Sequence, residues 1–99
     1  MLADFEKNGT TLTALPEGRL DSVTSPEFKD LLEKEMVGVN DVVIDLEKVD
    51  YVSSGGLRVL LWADQEMKDR HGTMKVIHVS EPIKKIFGIV GFMDMITVE

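Results

Sequence analysis

Cysteine is absent from this chain, which excludes disulfide staples, thiolate nucleophiles and cysteine-held metals. Prolines number only three and glycines eight, too few for a collagen-like or proline-rich disordered chain. With 43% hydrophobic and 29% charged residues, the composition is globular. No apolar run approaches the roughly 20 residues needed to cross a bilayer. The opening Met1-Leu2-Ala3-Asp4-Phe5-Glu6-Lys7 carries acids where a secretion signal carries a positive region. The expectation is a soluble, cytoplasmic chain without a membrane partner. Positive charge is also in short supply: 11 Lys and Arg against 18 Asp and Glu give a formal charge of −7. Nucleic-acid binding draws its affinity from phosphate neutralisation by a basic face, so direct nucleic-acid binding is not expected, and basic partners suit the surface better.

The 99 residues fit a single domain. No repeat, low-complexity stretch or linker divides them, so residues 1–99 are read as one unit. Leu2 to Lys7 and Thr10 to Leu15 are predicted to form a hairpin through Asn8-Gly9. A first helix is expected from Thr24 or Ser25, with Thr24-Ser25-Pro26-Glu27 in the form of a capping box. Phe28, Leu31, Leu32 and Met36 recur along it at helical spacing until Gly38, with Lys29, Asp30, Glu33 and Lys34 on the other side. Asp41 to Leu46 reads as a central strand covered on both faces. A long helix follows Ser53-Ser54-Gly55-Gly56. Its stripe is Leu57, Leu60, Leu61 and Met67, with Asp64, Gln65, Lys68 and Asp69 on or beside the polar remainder, and Gly72 ends it. Met74 to Val79 is a further strand. Ser80-Glu81-Pro82 opens a third helix with Ile83, Ile86, Phe87 and Val90 on one face, and Ile96 to Val98 offers a last short strand. The order specifies an α/β domain with about three main helices and a mixed sheet of four to five strands, parallel where helices provide the crossovers.

Chemistry is concentrated at Asp50-Tyr51-Val52-Ser53-Ser54-Gly55-Gly56-Leu57, where the central region hands over to the long helix. The carboxyl ends of strands in open α/β sheets carry functional groups, and a helix N-terminus presents free N–H groups with a partial positive charge. A serine placed there can cap the helix or, phosphorylated, carry a charge of about −1.5 to −2 that the helix end tolerates. The stretch is neither a nucleotide P-loop, lacking G-x-x-x-x-G-K-[ST], nor a nucleophile elbow, lacking G-x-S-x-G. On local sequence alone, an ordinary turn and N-cap is the better description of it, and the motif is weak in isolation.

Several segments together resemble the STAS domain of bacterial anti-sigma factor antagonists. They are Gly18-Arg19-Leu20-Asp21, Thr24-Ser25-Pro26-Glu27-Phe28, Val42-Val43-Ile44-Asp45-Leu46 and Tyr51-Val52-Ser53-Ser54-Gly55-Gly56-Leu57-Arg58-Val59-Leu60-Leu61, with Ile86 to Phe92 similar to the family's last helix and its closing glycine. The resemblance implies a non-enzymatic switch that binds an anti-sigma factor serine kinase when unphosphorylated and releases it when phosphorylated on serine. A serine phosphatase is a further partner class it leaves open. The family pattern is Asp-Ser-Ser-Gly-Leu. Aligned on Gly56-Leu57, it puts Ser53 at the aspartate, Ser54 at the phosphate acceptor and Gly55 at the second serine, which makes Ser53 a second candidate acceptor. Asp21 matches an acidic position beside the acceptor. The partner surface expected on this basis comprises Asp21, Ser53, Ser54, Gly55 and Gly56, with Val59 and Trp62 flanking the buried stripe of the long helix. Two other readings compete: a small-ligand or nucleotide-binding STAS sensor, and a scaffold subunit of a signalling assembly whose serines are only caps.

Other residues carry less. His71 sits at a helix end and His78 in a strand, neither with a companion at metal-ligand spacing. Asp45 and Asp50 have no nucleophile placed with them. No metal, cofactor or catalytic residue is therefore expected. Phe92, Met93 and Met95 are candidates for an apolar patch near the C-terminal turn.

Overall fold

In the computed structural model, which describes residues 1–99, hydrophobic alternation has built two sheets. The strands are β1 (Ala3–Asn8), β2 (Thr11–Pro16), β3 (Gly18–Leu20), β4 (Asp41–Asp45), β5 (Val49–Val52), β6 (Thr73–Ile77) and β7 (Thr97–Val98). The helices are α1 (Thr24–Glu35), α2 (Ser54–Asp69) and α3 (Glu81–Ile89), with a 3-10 turn at Phe92–Asp94. The main sheet has the order β1-β2-β4-β6-β7, and β3 pairs with β5 in a separate two-stranded ribbon. β1 and β2 are antiparallel and every other pairing is parallel, as the helical crossovers require. A mixed sheet of five strands and three helices match the expectation, but the second sheet, made of β3 and β5, was expected as loop.

The hairpin closes with Asn8 opposite Thr11, so its two-residue loop is Gly9-Thr10, one position later than expected, with Gly9 at φ +65°. This left-handed first loop position suits glycine. In the main sheet, Leu12, Ala14, Val42, Ile44, Met74 and Val76 are buried together under the helices, while their neighbours Thr11, Thr13, Val43 and Lys75 are half-exposed. β4 is therefore not covered on both faces. Its apolar run hides an alternation, because every crossover helix of the main core lies on one side.

Phe28 and Leu32 of α1, Met36 at its C-cap, and Leu60 and Met67 of α2 are buried as their spacing required. Leu31, Leu57, Leu61 and Ile86 are only half-buried, and Asp64 and Val90 depart further. Asp64 is buried rather than on a polar face, with its carboxylate 2.8 Å from Lys68 Nζ one turn on. Val90, expected on the inner face of α3, is the residue after the helix and is 51% exposed. α2 ends differently from the expected glycine stop: His71 takes the left-handed turn at φ +59°. His71 N–H donates to Lys68 O and Gly72 N–H to Met67 O, the paired bonds of a Schellman end. At the C-terminus Phe92 is buried against Phe87, 4.8 Å between ring centroids. It drops out of the expected apolar patch, and Met93 and Met95 stand exposed with Ile89.

Candidate functional site

The β3–β5 ribbon positions the site. Ser53 leaves β5 in an extended conformation, and its N–H donates to Leu20 O at 2.8 Å, tying it to the end of β3. Its Oγ accepts the Gly55 N–H at 3.2 Å and its carbonyl accepts the Leu57 N–H at 3.0 Å. Ser53 is thus the N-cap of α2. With capping assigned to Ser53, Ser54 is the first helical residue, solvent-exposed and relieved of that bond. The first turn of α2 holds no acidic side chain, so nothing there opposes an anion at the positive helix end.

The glycines divide. A Cβ on Gly55 would meet only ordinary contacts, 3.4 Å from Ser53 Oγ and 3.6 Å from Asp21 O; Gly55 keeps the loop uncrowded and brings the Asp21 backbone beside it. A Cβ on Gly56 would lie 2.8 Å from Leu20 O and from Val52 Cγ1. Gly56 is buried and lets α2 approach the ribbon, so its place on the expected partner surface is corrected to a packing role. Val59 is corrected likewise: at 6% exposure it belongs to the core, because the buried stripe of α2 is rotated toward it. Trp62 remains half-exposed.

Asp21 is a helix cap in its own right. Its Oδ1 accepts N–H bonds from Val23 at 2.9 Å and Thr24 at 3.0 Å, while Thr24 Oγ1 accepts the Asp21 N–H at 2.9 Å. The expected box over Thr24 to Glu27 therefore does not form, because the acid three residues earlier takes the free amides. The N–H bonds from Thr24 and then Val23 hold the Asp21 carboxyl below the usual aspartate range, and Arg19, 3.7 Å from Oδ2, adds a smaller pull. A carboxyl whose folded pKa lies below its unfolded value adds stability above the unfolded pKa, about 3.9. That contribution is lost as pH falls through the lower folded value. Asp21→Asn should therefore narrow its stability deficit against the native chain as pH is taken from about 6 down to about 2, measured by urea unfolding across the series.

Two features beside these residues were not expected from the sequence. Arg19 lies over the Tyr51 ring, 4.3 Å from its centroid, on the same ribbon as the serine loop. Between the starts of α1 and α2 runs an open groove lined in part by Ser22, Ser25, Lys29, Gly55 and Arg58. Its only sequence signal was Arg58, one helical turn after Ser54.

His78 also differs from expectation. It lies just beyond β6 at φ +56°, with Nδ1 3.0 Å from Asp45 Oδ1 and 3.9 Å from Glu47 Oε2. Donor atoms of the three side chains fall within 4.8 Å of one another, a grouping able to ligate a metal. Asp45 Oδ1 also accepts the Glu47 N–H at 2.9 Å, so the arrangement is held by hydrogen bonds of its own.

A family model described as the STAS domain matches residues 3–99. The anti-sigma-B factor antagonist of Listeria monocytogenes is 31% identical over 83 residues, which are 83% of this chain and 73% of that protein. Among solved structures, an anti-sigma factor antagonist from Mycobacterium paratuberculosis matches with a TM-score of 0.86 at 18% identity, over 98% of this chain and 83% of its own. The Bacillus cell fate determinant SpoIIAA in its phosphorylated form matches with a TM-score of 0.76 at 16% identity, over 99% of this chain and 91% of its own. No helix here is long and apolar enough to cross a membrane.

Proposed function

This chain belongs to the STAS domain family, and from that premise we propose that it is an anti-sigma factor antagonist whose grip on a serine kinase/anti-sigma factor ends when Ser54 is phosphorylated. The observation that carries the proposal is the division of labour between the serines: Ser53 Oγ caps α2 and Ser54 stands exposed beside it. The Ser53 oxygen is held against the Gly55 N–H at 3.2 Å, whereas Ser54 makes no such bond and its hydroxyl is free to enter a kinase site. A phosphoryl group at the first helical position adds a charge of about −1.5 to −2, and the helix end stabilises an anion there by roughly 0.3–1 kcal/mol. The fold tolerates the mark.

The chain itself performs no bond chemistry in this reading. The kinase supplies it: Ser54 Oγ attacks the terminal phosphorus of ATP, the P–O bond to ADP breaks, and the hydroxyl proton passes to a base of the kinase. The antagonist contributes an accessible hydroxyl on a helix end and a flanking surface in which Asp21, Gly55 and Trp62 are the exposed or half-exposed members. Release follows because the new dianion sits where the partner must desolvate it.

The test is phosphate transfer. Incubated with an anti-sigma factor serine kinase and ATP, the protein should take one phosphate, mapped by mass spectrometry to Ser54 and lost in Ser54→Ala. Transfer to Ser53 instead would reverse the assignment of the two serines. Transfer to neither would remove the proposal.

A further inference from the structure

The groove between the first turns of α1 and α2 is positively charged on an acidic molecule. In a chain with 18 acidic and 11 basic side chains, it is lined by Lys29 and Arg58 and by no carboxylate. Lys7, Arg19, Lys48, Lys68, Lys75 and Lys84 each hold an acidic partner; Lys29, Lys34, Arg58, Arg70 and Lys85 hold none, and of these only Lys29 and Arg58 share a groove. Lys29 Nζ lies instead over Trp62, 5.1 Å from the ring centroid.

A second feature is independent of charge. Ser25 lines the same groove, is 2% exposed, and its Oγ is buried with no hydrogen-bond partner. Buried hydroxyls are almost always paired, and one left unpaired requires an explanation. An oxygen-bearing ligand seated between the two cations supplies it. The walls are not wholly polar: Val59 and Trp62 give one side an apolar surface, suited to the body of an organic molecule rather than to a bare ion.

We infer that this groove, of about 310 Å³, is a binding site for a small organic phosphate or carboxylate. Lys29 and Arg58 hold its oxygens, the Ser25 hydroxyl donates to it, and its apolar body rests on Trp62. The site needs neither a phosphate on Ser54 nor a partner protein.

Trp62 is the only tryptophan of the chain, so its fluorescence reports on the groove. The intact protein is titrated with phenyl phosphate, phenylacetate, inorganic phosphate and sodium chloride at constant ionic strength, with the Gly55 amide followed by NMR as a second readout. A saturable response to phenyl phosphate or phenylacetate, tighter than to inorganic phosphate, is expected. Lys29→Gln and Arg58→Gln should each raise the dissociation constant about tenfold, the scale of one charge-assisted hydrogen bond. Both side chains lack ion pairs, so the variants should fold, and the constant rather than the baseline fluorescence is compared. Ser25→Ala should weaken binding while leaving the free chain no less stable, a combination that a purely structural serine would not give. No saturation beyond the chloride control, or constants unchanged in both glutamine variants, would overturn the site. Equal affinity for inorganic and phenyl phosphate would overturn its apolar half.

Discussion

Gly72→Ala should be the most damaging small substitution in the chain, costing about 3–4 kcal/mol by overpacking together with a lost hydrogen bond. A methyl group at residue 72 would sit 2.0 Å from Asn40 O, a carbonyl that also accepts the Thr73 N–H at 3.0 Å. Backbone on both sides fixes the approach: Gly72 N–H is bound to Met67 O at the end of α2, and Asn40 leads directly into β4. Relief can come only by moving the start of β6 away from the start of β4, which breaks that hydrogen bond and disturbs the central strand pair. Against a total stability of about 5–15 kcal/mol for a domain of this kind, the loss is large. Gly88→Ala is the matched control. Gly88 lies in α3 with open space around its Cα, and alanine there should stabilise by about 0.5–1 kcal/mol through helix propensity. Chemical denaturation of both variants gives the two values; equal effects would refute the steric argument.

Gly72 also shows where sequence reading stops. The glycine punctuates the end of α2 in the sequence, and a helix does end there. Its reason, however, is a close approach to a residue 32 positions earlier, while His71 bears the left-handed backbone. The same division runs through the molecule. Hairpin, helices and the strands β4 and β6 were legible because each carries its own period, long enough to count. β3 and β5 were not: they have three and four residues, and in β5 only the end residues Val49 and Val52 are buried, leaving Asp50 and Tyr51 exposed like any loop.

At the site, what lies on one stretch of chain was readable. Ser53 and Ser54 at a helix start announce a cap and a free hydroxyl, although only the structure says which is which. What depends on two stretches meeting was not readable. Lys29 reads as an ordinary polar-face lysine of α1 until α2 brings Arg58 and Trp62 across the groove from it. His78 reads as a lone histidine until the pairing of Asp45 with Ile77 sets it beside Asp45.

The second large effect concerns affinity, and its sign is opposite to the effect on stability. Ser54→Asp places a single negative charge at the first residue of α2, where the first turn has no acid to repel it. The free protein should therefore become slightly more stable, by about 0.3–1 kcal/mol. In the complex with the anti-sigma factor the same carboxylate must be desolvated without a partner, at a cost of about 2–5 kcal/mol. A monoanion should fall near the lower end, weakening binding about thirtyfold, and the phosphoserine dianion should exceed it. Ser54→Ala removes only an exposed hydroxyl and should bind as the native chain does. Calorimetry of the three proteins against the same partner, with thermal melts of each alone, separates the causes. If Ser54→Asp lost binding and stability together, the charge would be acting through the fold. If it kept its affinity, Ser54 would lie outside the interface and the serine loop would be no more than the cap of a helix.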